Sequence, residues 1–75
     1  MKKTMIKLVE DFGADFYACG LVKAGTIFTL NEFIQTFGTN MADDIDDYFL
    51  DYNESERSKG VDFWQNGMHV FMWEE

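Results

Sequence analysis

The spacing of apolar residues predicts a helix in the middle of the chain. Between residues 41 and 52, apolar side chains recur every three or four positions, as they do on a helix with one face against a core. They are Met41, Ile45, Tyr48, Phe49 and Tyr52. Thr39 or Asn40 is expected to cap this helix, and Asp43 and Asp44 then fall in its first turn, where the helix dipole favours negative charge.

A second helix is predicted just before it from the signals at its two ends. Thr29 and Glu32 have the spacing of a capping box, in which each side chain accepts a hydrogen bond from the other residue's backbone N–H. Gly38 is expected to end this helix in a left-handed conformation. The helix is therefore predicted over Leu30–Phe37.

The first part of the chain has the pattern of extended segments separated by a turn. Residues 4–10 contain β-branched side chains in partial alternation and are predicted as a first strand. Residues 11–14 are predicted as a turn, because Gly13 can adopt a positive φ. Residues 15–22 are predicted as a second strand, antiparallel to the first, and residues 26–28 as a short extended piece.

The C-terminal part is predicted as a β-hairpin. Asn66-Gly67 is the leading dipeptide of the type I′ turn, and segments rich in aromatic and β-branched residues flank it. A two-residue loop fixes the register, so Trp64 lies opposite His69. The polar residues 53–60 that precede the hairpin are predicted as an irregular, mobile loop.

This register divides the side chains of the hairpin between two faces. One is a plain core face, formed by Val61, Phe63, Val70 and Met72. The other is unusually aromatic and contains Asp62, Trp64, His69, Phe71 and Trp73. Burial of the second face is predicted, because so small a chain needs the apolar area. If it were exposed, its tryptophans would mark a partner site.

Together these elements predict a single α+β domain over residues 1–75. Its order is β-β-α-α-β-β, with an antiparallel sheet of about four strands and two helices on one face. The hydrophobic content of 47% argues against disorder. Cys19 is the single cysteine, which excludes an internal disulfide and suggests a buried structural thiol in a reducing compartment. We therefore expect a cytoplasmic protein.

The charge balance limits the classes of partner. Fourteen acidic residues against six basic ones give a net charge of −8, which repels nucleic acid and anionic membranes. A basic protein surface is the natural partner for this charge, although solubility alone also explains an acidic protein. His69 is the single histidine, and no phosphate-binding or nucleophile motif accompanies it, so we expect no enzyme, no metal and no cofactor.

Half of the acidic residues lie in one segment, residues 41–56. On a helix they form a row of carboxylates about 6 Å apart along the axis, which is the order of the phosphate spacing along one nucleic-acid strand. The predicted partner-binding residues are Asp43, Asp44, Asp46, Asp47, Asp51 and Glu54. Tyr48, Trp64 and Trp73 are secondary candidates.

In size, charge and expected fold, the chain resembles the small phage-encoded inhibitors that mimic DNA. This class includes anti-CRISPR proteins, anti-restriction proteins and inhibitors of uracil-DNA glycosylase. The residues that carry the resemblance are residues 43–47, Asp51, Glu54 and Glu56. The resemblance implies a protein that occupies the basic nucleic-acid-binding groove of a nuclease or CRISPR effector complex, with anti-CRISPR activity foremost.

An alternative function uses a different surface. In it, the protein is a non-enzymatic interaction module or a homodimer that binds through the aromatic face of the C-terminal hairpin. Trp64, Phe71 and Trp73 would then make the contacts, and the acidic residues would be bystanders. Salt dependence separates the two hypotheses, because binding through the carboxylates weakens as salt increases.

Overall fold

A computed structural model describes residues 3–14 and 20–75. In this part of the chain, six strands and three helices follow one another. They are β1 (Thr4–Leu8), β2 (Phe12–Ala14), β3 (Gly20–Val22), β4 (Ile27–Thr29), α1 (Leu30–Phe37), α2 (Thr39–Leu50), α3 (Glu54–Lys59), β5 (Val61–Gln65) and β6 (Met68–Glu74).

The main sheet has four antiparallel strands in the order β4-β1-β6-β5. The two central strands, β1 and β6, come from the two ends of the described chain, and Ile6 lies opposite Met72. With helices packed on one side of this sheet, the fold is α+β, and that prediction is confirmed.

The strand pairing at the N-terminal end differs from the prediction. β3 does not pair with β1; it pairs with β2, and Gly13 lies opposite Leu21 in a separate two-stranded ribbon. Residues 11–14, predicted as a turn, contain β2 instead, since the chain continues extended beyond β1. Residues 15–19 of the predicted second strand, including Cys19, lie outside the described residues.

The core lies between the inner side of the sheet and the first two helices. Its sheet residues are Ile6, Leu8, Phe28, Met68, Val70 and Met72. Its helix residues are Phe33, Phe37, Met41, Ala42, Ile45 and Phe49. Phe28 meets Phe33 edge to face with ring centroids 5.8 Å apart, an arrangement that aromatic quadrupoles favour. This contact fixes α1 on β4.

Helix α1 has the predicted bounds and the predicted capping box. The Glu32 N–H donates to the Thr29 hydroxyl at 3.2 Å, and the Thr29 N–H donates to the Glu32 carboxylate at 2.9 Å. Gly38 ends the helix with φ 95° and ψ 164°, so its φ is positive as expected. Together with the positive φ, this ψ value places Gly38 in an extended region that almost only glycine adopts. The prediction of a left-handed helical conformation was therefore wrong.

Helix α2 begins two residues earlier than predicted. It starts at Thr39, and Gly38 occupies its N-cap position, so neither Thr39 nor Asn40 is the cap. Gly38 is the only residue between the two helices, so α2 begins directly after it. Asp43 and Asp44 consequently lie beyond the first turn, and the structural reason proposed for these two acids does not apply.

The prediction of an irregular loop over residues 53–60 was wrong, because α3 occupies this segment. Asn53 and Glu56 form a second capping box, with the Glu56 N–H donating to the Asn53 side chain at 2.9 Å. Arg57, in the last turn, donates to the Tyr52 carbonyl and forms an ion pair of 3.2 Å with Glu74. These contacts attach a short polar helix to the end of β6.

The C-terminal hairpin has the predicted register, with Trp64 opposite His69. Asn66 and Gly67 have φ values of 52° and 81°, the positive pair that a type I′ turn requires. On the core face, Val70 and Met72 are buried as expected, whereas Val61 and Phe63 are partly buried. Burial of the aromatic face is wrong for Trp64, which is 66% exposed.

Candidate partner-binding surfaces

Five aspartates share the solvent side of α2, opposite the buried residues of this helix. Four are exposed and Asp46 is half-buried. Asp43, Asp47 and the C-cap residue Asp51 follow at intervals of four residues, which sets their positions about 6 Å apart along the axis. Asp44 and Asp46 flank this row. We call these five residues the acidic face of α2.

The acidic face is not neutralised by the cations of residues 3–14 and 20–75. Across residues 3–14 and 20–75, its carboxylates form no ion pair, and Asp44 accepts a hydrogen bond from the Gln65 amide at 2.9 Å. Arg57, the basic residue that follows this segment in the sequence, is bonded to Glu74 instead. The negative charge of α2 is therefore directed towards solvent.

The pKa of Asp46 is raised by its surroundings on this face. Partial burial raises the pKa of its carboxyl above the ordinary value of 3.8, and the charges of Asp47 and Asp43 raise it further. The first turn of α2 contains no acid, so the helix dipole does not compensate for these repulsions. Local stability therefore does not explain why so many aspartates stand together here.

Leu50 interrupts the acidic face with an apolar side chain that is 55% exposed. It follows Asp46 and Asp47 by four and three residues, so the three side chains are neighbours on the helix surface. Its exposure could have been predicted from the sequence, because Leu50 falls outside the apolar stripe of α2. A partner of this face would meet a leucine among the carboxylates.

Two other predicted residues lie away from the acidic face. Glu54 is the first residue of α3, so it does not continue the row on α2. The ring of Tyr48 packs on Phe63 with centroids 4.5 Å apart, and its hydroxyl donates to the Asp62 carbonyl at 3.2 Å. Tyr48 therefore joins α2 to the edge of the sheet.

The second candidate surface is the side of the main sheet that faces away from α1 and α2. The strand register assigns its members. We call this surface the open face; it comprises Met5, Lys7, Val9, Ile27, Asp62, Trp64, His69, Phe71 and Trp73. Ile27 is 51% exposed and Val9 37%, and Trp73 is half-buried. Of the five large hydrophobic residues exposed in the described chain, three lie here.

The aromatic side chains of the open face are held by one another. Trp64 stacks on His69 with ring centroids 4.2 Å apart and planes 18° apart. His69 Nε2 in turn lies 2.8 Å from a carboxylate oxygen of Asp62. These contacts fix the orientation of Trp64 despite its exposure, which reduces the entropy lost when a partner binds it.

Other kinds of site find little support in the described residues. Within residues 3–14 and 20–75, no three His, Cys, Asp or Glu side chains are grouped so that they could hold a metal ion. Within the same ranges, no helix combines the length and the apolar character that crossing a membrane requires.

Comparison with known proteins finds no relative. No family model, no curated protein sequence and no solved structure matches this chain.

Proposed function

We propose that this protein is a phage-type inhibitor that binds the basic nucleic-acid-binding surface of a nuclease or CRISPR effector complex in the cytosol. The acidic face of α2 takes the place of the DNA backbone, and anti-CRISPR activity is the foremost form of this function. The observation that carries the proposal is the row of exposed carboxylates on one rigid helix, left without ion pairs by the described cations.

The energetics of α2 support a role for these aspartates outside the fold. The pKa of Asp46 is raised, which means that its ionised form is disfavoured where it stands. Asp51, at the C-cap, faces the negative end of the helix dipole. An arrangement that weakens the helix is better explained by a partner rich in lysine and arginine, which neutralises the charges on binding.

The geometry of α2 also suits a polymer mimic. The row from Asp43 to Asp51 spans about 12 Å along the helix axis. Because α2 is anchored in the core by Ile45 and Phe49, this row is presented as a stiff edge. A cationic groove built for successive phosphates could therefore bind it without ordering a flexible chain.

Displacement of labelled DNA tests this function. Purified nucleases and CRISPR effector complexes are loaded with fluorescent target duplex and titrated with the protein, and release is followed by fluorescence polarisation. We expect the protein to release the duplex from at least one of them, with a potency that falls as salt increases. The Asp47→Lys/Asp51→Lys variant should lose at least about a hundredfold in potency, since each of the two charge pairs lost at a desolvated contact weakens binding about tenfold or more.

A matched control separates position from total charge. Glu10→Lys/Glu75→Lys changes the net charge equally, at exposed residues outside α2, and should retain most of the potency. Equal loss in the two variants, or release that does not depend on salt, overturns the proposal. Circular dichroism should show that both variants remain folded.

A further inference from the structure

Two charged residues in the strands of the open face, Lys7 and Asp62, lie symmetrically about β6. Lys7 of β1 and Asp62 of β5 both lie opposite Phe71, one on each side of it. Neighbouring strands are about 4.8 Å apart, so a positive and a negative side chain flank this phenylalanine at equal distances. Lys7 is exposed, and the Asp62 side chain is 49% exposed despite its contact with His69.

The next row of the same face repeats this symmetry with apolar residues. Trp64 lies opposite His69 in the hairpin. On the other side of His69, the N–H of Val9 donates to its carbonyl at 2.9 Å, which places Val9 opposite it. Two exposed apolar side chains, Val9 and Trp64, therefore flank His69 as Lys7 and Asp62 flank Phe71.

A surface with this pattern is complementary to itself. A two-fold axis that runs along β6 exchanges the positions of β1 and β5 between two stacked sheets. Lys7 of one copy then faces Asp62 of the other, and Val9 of one copy faces Trp64 of the other. Each of these contacts occurs twice, and Phe71 meets its own counterpart at the centre. Sheets stacked about 10 Å apart allow these side chains to meet.

The distribution of charge across the molecule favours the same arrangement. The net charge of the chain is −8, so two copies repel each other wherever acidic surfaces meet. On the open face, Lys7 and Asp62 cancel, and the acidic face of α2 lies on the opposite side of the sheet. Stacking through the open face therefore keeps the two acidic helices on the outer sides of the pair.

From these observations we propose that the open face binds a second copy of this chain, forming a two-fold sandwich of two sheets centred on Phe71. Three strands of up to seven residues cover a footprint of roughly 14 by 24 Å, from the spacings of β-structure. This footprint is smaller than that of a standard specific interface, so we expect a weak, reversible dimer. The proposal does not depend on the function proposed for α2.

Sedimentation equilibrium of the full chain, from about 1 to 500 μM, measures this association. We expect a reversible monomer–dimer equilibrium. Trp64→Ala and Lys7→Glu should each raise the dissociation constant by about tenfold or more, because both side chains stand at the contact. Both residues are exposed in the monomer, so the variants should fold, which circular dichroism checks.

A charge exchange makes the test specific for this symmetry. The Lys7→Glu/Asp62→Lys variant restores opposite charges across the two-fold axis and should dimerise more tightly than Asp62→Lys alone, which lacks the same contact with His69. Leu21→Ala, which removes a side chain 61% exposed outside the open face, should dimerise like the unaltered protein. A monomer at all concentrations, a dimer unaffected by Trp64→Ala, or an exchange variant no tighter than Asp62→Lys overturns the proposal.

Discussion

The aromatic ring of Phe71 packs directly on the backbone of Gly60, so that a Cβ atom added to this glycine would overlap the ring. Gly60 joins α3 to β5 with φ 101°, a conformation that side chains other than glycine rarely adopt. This contact holds the ring of Phe71 in place at the centre of the open face. It therefore connects the end of α3 to the surface on which we propose dimerisation.

We expect Gly60→Ala to destabilise the fold by roughly 2–4 kcal/mol, from backbone strain and overlap together. Urea unfolding measures this loss. Gly25→Ala is the matched control, because Gly25 has φ 91° but open space around its Cβ position. It should lose the part due to strain alone, about 1–2 kcal/mol. Equal losses at the two glycines would show that the ring of Phe71 can move aside without lowering the free energy of unfolding.

Removing the charge of Asp46 should stabilise the protein at neutral pH. Its folded-state pKa is raised above the ordinary 3.8, so the native state holds the proton more tightly than the unfolded state does. Stability is consequently lost as pH rises from 3.8 through the raised pKa. Asp46→Asn should gain a few tenths of a kcal/mol at pH 7, and the gain should vanish at about pH 3.

Urea unfolding at the two pH values checks this prediction. Glu10→Gln, an exposed acid outside α2, serves as the control and should show no comparable gain at neutral pH. A less stable Asp46→Asn at pH 7 would mean that its carboxylate makes a favourable contact in the fold.

The second capping box should be needed for α3. Asn53→Ala removes the acceptor of the Glu56 N–H, and we expect a loss of about 1 kcal/mol. Glu56→Gln keeps an oxygen that can accept from the Asn53 N–H, so it should be nearly neutral. Thermal unfolding measures both, with Ser55→Ala as a surface control. If Asn53→Ala had no effect, the contacts of Arg57 with Tyr52 and Glu74 would be enough to keep α3 folded.

The hydroxyl of Tyr48 should stabilise the edge of the sheet. It donates to the carbonyl of Asp62 at 3.2 Å and lies 2.8 Å from the hydroxyl of Tyr52. Tyr48→Phe should lower the free energy of unfolding by about 1 kcal/mol, the usual contribution of one hydrogen bond. Amide exchange near β5 should also become faster. Tyr52→Phe leaves the carbonyl bonded and should have the smaller effect.

The parts of the fold that the sequence predicts well depend on local chemistry. The two-residue loop at Asn66 and Gly67 leaves one register for the hairpin, so its pairing could be derived residue by residue. The capping box at Thr29 likewise fixed the start of α1. Asn53 and Glu56 carry the same local signal, but the absence of apolar residues in this segment led to the prediction of a loop.

The parts that were missed depend on contacts between distant residues. No local pattern says that β1 lies between β4 and β6, because these pairings are decided by which strands share the core. The candidate sites show the same division. Helical spacing located the acidic face of α2, whereas the open face emerges only when β1 is placed beside the hairpin.

The central position of β6 determines when the chain can fold during its synthesis. Met68–Glu74 follows every other strand of the main sheet in chain order, yet it supplies the middle of the sheet and the partner of both β1 and β5. Until it emerges, β1 has β4 alone as a neighbour in this sheet, and the helices lack much of their core. The main sheet is therefore expected to form only after β6 has been synthesised, and the slow step is the joining of segments that are far apart in sequence.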